Sequence, residues 1–346
     1  MTAVGSRPTI VIGSYLEPEL AARIAAAPAA GRVVYEPDLL PVPRYQCDHT
    51  GPARSLSAAE LDQWRSLTAQ ADVFFDFDWL DPAGMARHAP HLRWVQATSA
   101  GIGGFMSRTG LDRSGLAVTT AGGVHAVPLA EFALAGALYF VKGVPDLRQR
   151  QQARHWERYT TRQLAGQRAL VVGLGGIGRQ VAAAFGALGV QVWGLGRDGG
   201  RYDIDGLSRV IGRAELDDAL PGTDVLVLCC PLTPQTEGLI GRRQLGLLPP
   251  HAVLVNISRG QVVDQDALTD ALAAGRLGGA CLDVFATEPL PADSPLWGMD
   301  NVLVSPHSAS TVATENTRLT ELFLDNLERF ADGRPLRNRY EPDRGY

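Results

Sequence analysis

The run Val171-Val172-Gly173-Leu174-Gly175-Gly176-Ile177-Gly178 constrains the fold of this chain more than any other stretch. Apolar residues from Leu170 to Val172 lead into it, residues 179–188 follow with a helical pattern, and a second apolar run begins at Val190. In this context Gly173 permits a tight turn, Gly175 lets a bound group approach the backbone, and Gly178 lets the helix pack close to the strand. Strand, glycine turn and helix in that order commit the segment to a βαβ unit of a parallel sheet. The start of such a helix offers unpaired N–H groups and a positive dipole end to an anion, here the pyrophosphate of a dinucleotide. Leu174, Gly175, Gly176 and Ile177 are therefore candidate cofactor-binding residues.

The flanking sequence extends this unit in both directions. Apolar runs at 169–173, 190–194, 225–229, 253–257, 279–283 and 302–305 alternate with helical patterns, and predict a doubly wound domain of six strands. Upstream, runs at 9–13, 32–35, 72–77, 92–97 and 116–120 predict a second parallel sheet, with a helix over 17–27. Residues 37–55 are rich in proline and polar side chains and read as a loop. A long helical pattern covers 127–154, and a closing helix covers 315–330. The chain's 346 residues exceed what one core usually holds. The expected fold class is α/β, with two Rossmann-like or flavodoxin-like parallel-sheet domains. A substrate domain of residues 1–121 plus 310–346 receives an inserted dinucleotide domain of residues 122–309.

Composition narrows the function. A net charge of -5 and the lack of a basic run give no electrostatic basis for nucleic-acid binding. The longest apolar stretches are short and interrupted, so no membrane partner is expected. Residues 1–8 lack the pattern of a secretory signal. Cys47, Cys229, Cys230 and Cys281 match neither metal-ligand nor disulfide spacing and read as core residues of a cytoplasmic protein. No metal site is expected.

Three segments carry candidate chemistry: Asn256 to Gly260, Asp283 to Leu290, and Ser305 to Ala309. Each follows a predicted strand, on the sheet edge where ligands of open α/β folds bind. They deliver Arg259, Glu288 and His307. Reducing a 2-keto acid needs a hydride, a proton and an anchor for the carboxylate. An arginine binds the carboxylate through paired donors and polarises the keto oxygen. A histidine gives the alcohol oxygen its proton, and a glutamate beside it favours the charged imidazole and fixes its tautomer. Alone, each residue has an ordinary reading as a surface ion pair, a solvated carboxylate or a strand-end histidine. Their shared placement beside the glycine turn argues for the trio.

With these segments in view, the chain resembles the D-isomer-specific 2-hydroxyacid dehydrogenases, a family that includes glyoxylate/hydroxypyruvate reductases. The resemblance is carried by TSAGIGG (98–104), GVHAVPLAEF (123–132), VVGLGGIG (171–178), CPLTPQTEGLI (230–240), VNISRG (255–260), DVFATEPL (283–290) and SPH (305–307). It implies reduction of a small 2-keto acid to the D-2-hydroxy acid with NAD(P)H. It assigns Arg259 to the substrate, Glu288 to the histidine and His307 to acid/base chemistry. It also implies backbone contacts from Ala100 and Gly101 to the substrate carboxylate, and a cofactor lining from Cys230, Pro231, Thr236, Ile257, Ser258 and Asp283. The family's dimer arm falls on residues 139–164, with Trp156 and Tyr159 as interface aromatics, so a homodimer is expected.

Two departures qualify the resemblance. The stretch before Gly51 is unlike the commoner members, and its Arg44, Tyr45 and His49 either reach a substrate or sit in solvent, solvent being the favoured reading. The position that is acidic in NAD-specific relatives falls on Gly196 and is followed by Arg197, with Arg201 nearby. A glycine and two arginines favour NADP over NAD, although Asp198 could reach the ribose and restore NAD. Formate dehydrogenases share this scaffold but pair their histidine with glutamine, where this chain has Glu288. The alternative from another class is a nucleotide-sensing interaction protein, co-repressor-like, on the same fold.

Overall fold

A computed structural model describes residues 7–197 and 199–345, which divide into two compact units. One comprises Met1–His125 with Thr311–Tyr346, the other Ala126–Ser310. These divisions fall slightly beyond the boundaries at 121/122 and 309/310 drawn from the sequence.

The first unit holds five parallel strands: β1 (Ile10–Ile12), β2 (Val33–Val34), β3 (Val73–Phe75), β4 (Trp94–Gln96) and β5 (Ala117–Thr119). Their order in the sheet is β2-β1-β3-β4-β5. All residues of β1, β3 and β4 are buried, because helices cover both faces of a parallel sheet. The helix Glu315–Ala331 supplies one of those covers. Its Leu319, Phe323 and Leu327 recur every four residues and are fully buried. The Phe323 ring stacks on Trp94 at 5.1 Å and meets Phe75 edge-on at 5.4 Å.

The second unit holds seven parallel strands, ordered β12-β11-β10-β9-β6-β7-β8. They are β6 (Arg168–Val172), β7 (Gln191–Leu195), β8 (Leu207–Ile211), β9 (Val225–Leu228), β10 (Val253–Asn256), β11 (Gly279–Leu282) and β12 (Val302–Val304). Alternation along the central strands builds two cores. Leu170, Val172, Leu226, Leu228 and Leu254 face one side, and Ala169, Val171, Val225, Val227, Val253 and Val255 face the other. The fold class is therefore that read from the sequence, with one strand more. The sequence reading missed β8, an edge strand with three of its five residues exposed, so no apolar run marks it.

The long helix expected over 127–154 is two helices, Ala126–Val141 and Val144–Gln152. Gly143 adopts φ 64° between them, a left-handed conformation that glycine takes without strain, and Pro145 follows. The second helix buries none of its residues, so the apolar periodicity that marks the first ends at the break and only the helical propensity of the sequence continues. Residues 37–55 contain only a short 3-10 turn, Pro37–Leu39. Among the described residues, no single helix is long and apolar enough to cross a membrane.

Candidate active site

Strands β10, β11 and β12 are neighbours, and the three segments that carry Arg259, Glu288 and His307 leave their carboxyl ends side by side. Close backbone packing draws two of those segments together. A side chain at Gly260 would stand 1.9 Å from the carbonyl carbon of Phe285, so only glycine lets the loop after β10 lie against the loop after β11. Asn256 Nδ2 donates to the Arg259 carbonyl at 3.1 Å and braces the same loop. Burial lowers the pKa of Arg259, which Glu288 and Asp283 partly offset by attraction. A desolvated guanidinium of this kind is a strong anchor for an anion, because little water must be displaced from it.

His307 Nδ1 lies 2.8 Å from Glu288 Oε2, and the Phe285 amide donates to Glu288 Oε1 at 3.0 Å. Burial pushes the Glu288 carboxyl up, but the His307 bond, the Phe285 amide and the charges of His307 and Arg259 outweigh it. The net pKa falls below the ordinary value. An ionised carboxylate only accepts, so Nδ1 carries the proton between them and Nε2 is left for chemistry.

The His307 turn has a second support that the sequence did not disclose. Asp283 Oδ1 accepts from Ser305 Oγ at 2.6 Å, the Ser308 amide at 2.9 Å and the Ala309 amide at 3.0 Å. Asp283 is buried, so these bonds replace the water its carboxylate would otherwise hold. The resemblance gave it to the cofactor; its position at the end of β11 was legible, its grip on the neighbouring turn was not.

The glycine turn fits a dinucleotide. Gly173 adopts φ 101°, and a side chain there would stand 2.7 Å from the Cys230 backbone. A side chain at Gly178 would strike the Gly173 carbonyl at 1.9 Å, whereas one at Gly175 would meet nothing within 4 Å. The turn is thus closed against the sheet and open toward the end of the helix Gly176–Ala187, where no side chain caps the first-turn amides. Leu174 and Cys230 are buried, Ile177 is half-buried, and Gly176 and Pro231 are exposed. Ile257 and Ser258 are buried, and Ser258 Oγ donates to Asn256 Oδ1 at 2.7 Å. Thr236 Oγ1 donates to the Pro231 carbonyl at 2.6 Å and shapes the 231–236 turn. Arg197 and Arg201 are exposed, and Asp198 lies outside the described residues. Tyr202, which sequence reasoning passed over, packs against Gly196.

Cys229, Cys230 and Cys281 are free thiols that burial keeps protonated, with Cys230 pushed up to about 11 and Cys281 to about 12. No group of three or more His, Cys, Asp or Glu among the described residues is arranged to hold a metal.

Ala100 and Gly101 belong to the first unit, after β4. In the same unit the structure corrects the reading of His49 as solvated. His49 is half-buried, with Nδ1 3.0 Å from Ser14 Oγ. Asp76 Oδ2 accepts from Thr98 Oγ1 at 3.1 Å, and both His49 and Ser14 act on the Asp76 carboxyl. Arg44 and Tyr45 are exposed, Arg44 being bound through Nε to Asp48 Oδ2 at 2.8 Å.

Comparison with known proteins places these features. A family model described as D-isomer specific 2-hydroxyacid dehydrogenase, NAD binding domain, matches residues 134–309. Glyoxylate/hydroxypyruvate reductase B of Pectobacterium carotovorum is 36% identical over 266 residues, 74% of this chain and 81% of the relative. Glyoxylate/hydroxypyruvate reductase HPR3 of Arabidopsis thaliana is 31% identical over 258 residues, 72% of this chain and 76% of the relative. A D-isomer specific 2-hydroxyacid dehydrogenase from Xanthobacter autotrophicus, solved with NADPH and MES, aligns with TM-score 0.78 and 29% identity over 99% of this chain and 100% of that one. An NADPH-dependent glyoxylate/hydroxypyruvate reductase from Sinorhizobium meliloti, solved with NADP and sulfate, aligns with TM-score 0.76 and 25% identity, covering 98% and 100%.

Proposed function

The chain belongs to the D-isomer-specific 2-hydroxyacid dehydrogenases, NAD(P)-dependent oxidoreductases of 2-keto acids, and we propose that it reduces glyoxylate or hydroxypyruvate with NADPH preferred over NADH. Residues 122–309 form the dinucleotide domain in this reading, and residues 1–121 with 310–346 the substrate domain. The observation that carries it is the 2.8 Å bond between His307 and Glu288, on loops that follow β12 and β11 beside the strand β10 that leads to Arg259.

Leu174, Gly175, Gly176 and Ile177 would hold the pyrophosphate, with Cys230, Pro231, Thr236, Ile257, Ser258 and Asp283 along the rest of the cofactor. When bound, the reduced nicotinamide supplies a hydride to C2 of the keto acid. Arg259 binds the substrate carboxylate and draws electron density onto the keto oxygen. The family resemblance makes the backbone amides of Ala100 and Gly101 substrate-binding groups as well. His307 gives its Nε2 proton to the developing alkoxide, and the Glu288 carboxylate holds the imidazole in the tautomer this requires. In the oxidative direction the same nitrogen takes the proton back.

Gly196 without a carboxylate, followed by Arg197 and with Arg201 nearby, supports NADPH. The NADPH and NADP named for two structural neighbours support it further. The same reading makes the protein a cytoplasmic homodimer acting on small molecules, with neither nucleic acid nor membrane as partner. The relatives bearing reductase names give the co-repressor-like alternative no support. The test is a panel of glyoxylate, hydroxypyruvate, pyruvate and phenylpyruvate against NADPH and NADH. The highest kcat/KM is expected with one of the first two acids and NADPH; a ratio of NADPH to NADH below one overturns the cofactor preference.

A further inference from the structure

The end of β7 is shaped by Tyr202, which belongs to none of the family motifs. A Cβ built on Gly196 would stand 2.4 Å from Tyr202 Cε2, 2.8 Å from Cζ and 3.0 Å from the hydroxyl. One built on Gly200 would stand 2.6 Å from the same Cε2 and hydroxyl. The Tyr202 ring therefore lies across both glycines, and the Arg197 amide donates to its hydroxyl at 2.7 Å. Tyr202 also packs against the buried core on one face of the second sheet, which fixes it further. Gly196 thus has two reasons to lack a side chain: a carboxylate there would repel a 2′-phosphate, and any Cβ there would collide with this ring.

We propose that Tyr202 is a specificity-determining residue for the cofactor: its ring bars an acidic side chain from position 196, and its hydroxyl donates to the 2′-phosphate of NADPH. A hydroxyl that accepts the Arg197 amide proton keeps its own O–H to give, and that donor sits at the strand end where the adenosine ribose of a dinucleotide domain is recognised. A neutral donor suits a phosphate, which brings only acceptors. Cofactor exchange therefore needs two positions: Gly196→Asp alone weakens both cofactors, because its carboxylate has no room until Tyr202 is reduced.

The hydroxyl's role rests on the NADPH reading above; the collision at Gly196 does not, and the two are measured separately. In the protein without cofactor, Gly196→Ala is expected to lower Tm by about 4 °C, the usual scale of overpacking a domain of this size. In a Tyr202→Ala background the same change should lower it by less than about 1 °C, since the cycle isolates the pair. An equal loss in both backgrounds, or none in either, overturns the barrier. For the hydroxyl, calorimetry compares adenosine 2′,5′-bisphosphate with AMP on wild type and Tyr202→Phe. The variant should bind the bisphosphate about tenfold more weakly, the scale of one hydrogen bond to a charged group, and AMP within about twofold of wild type. If wild type prefers the bisphosphate and Tyr202→Phe leaves that preference intact, the hydroxyl's role is wrong and the NADPH reading stands. If wild type shows no preference, both fall.

Discussion

His307 holds a backbone conformation most side chains avoid, with φ 55°, and it stays there because the turn around it is fastened to Asp283. The proton chemistry proposed for it follows from its two nitrogens: Nδ1 is committed to Glu288, so Nε2 alone can serve the substrate. His307→Ala should lower kcat by about two to four orders of magnitude, the usual contribution of a positioned acid/base. Arg259→Ala should raise KM and lower kcat together, because the carboxylate anchor acts in ground and transition states alike. Glu288→Gln removes the ionised partner of the imidazolium, so the pH range over which reduction proceeds should contract from its alkaline side. Steady-state kinetics across pH on the three variants read these effects, and near-wild-type turnover in the histidine variant sinks the assignment. The trio was legible because chemistry selects unusual residues at strand ends. The Ser14, His49 and Asp76 cluster was not, because its members lie far apart in sequence and meet only when β1, β3 and the 37–55 loop assemble.

Asp76 offers a test of that cluster by linkage. Burial raises its carboxyl pKa above the ordinary value, and the His49 charge with the Phe77, Thr98 and Ser14 bonds only partly reverses this. A carboxyl raised in the folded state adds stability that is complete below the unfolded pKa, about 4, and is lost as pH rises through the folded value. Asp76→Asn keeps an acceptor for Thr98 and tolerates the φ of 67° at this position. Its Tm relative to wild type should therefore rise as pH is raised from about 4 and level off once the folded carboxyl has ionised. A difference that stays flat, or falls, shows that the carboxylate is paid for by its partners across the whole range.

At the scale of elements, legibility followed burial. The strands of both sheets announced themselves because a parallel sheet buries both faces and so writes an unbroken apolar run. The helix Glu315–Ala331 did so because its buried face repeats at 319, 323 and 327. What failed were the features with no such pattern: the exposed edge strand β8, and the break at Gly143, which one glycine conformation makes before a helix that buries none of its residues. Helix Glu315–Ala331 is also where a packing test is sharpest. Phe323 is fully buried between Trp94 and Phe75, and Asn326 Nδ2 donates to Gln96 Oε1 at 3.1 Å one turn further on. Phe323→Ala should destabilise the first unit by about 3–5 kcal/mol, the range for emptying a buried aromatic site. Urea unfolding measures it, and a loss below about 1 kcal/mol would mean that this helix is not what completes the first core.

At the scale of the whole molecule, one surface is unlike the rest. After the helix Val144–Gln152, residues 153–161 run on with every side chain exposed, and Trp156 is 98% exposed. Tyr159 is covered only in part, with the Arg150 guanidinium 4.9 Å from its ring centre. An indole left wholly in water forfeits about 2–3 kcal/mol that burial would return, and it does nothing for the fold of its own chain. That is the pattern of a segment shaped for another surface, and the dimer arm implied by the family resemblance lies on these same residues. A symmetric pair counts such a contact twice, once from each copy, so two indoles supply about 4–6 kcal/mol of the association energy. The protein should therefore run as a homodimer by light scattering at micromolar concentration. Trp156→Ala should weaken the association at least a hundredfold and bring monomer into view in the same range, while leaving the Tm of the dilute protein within about 1 °C of wild type. A monomeric mass for the wild type sinks the dimer, and a wild-type dimer untouched by Trp156→Ala moves the interface elsewhere on the chain.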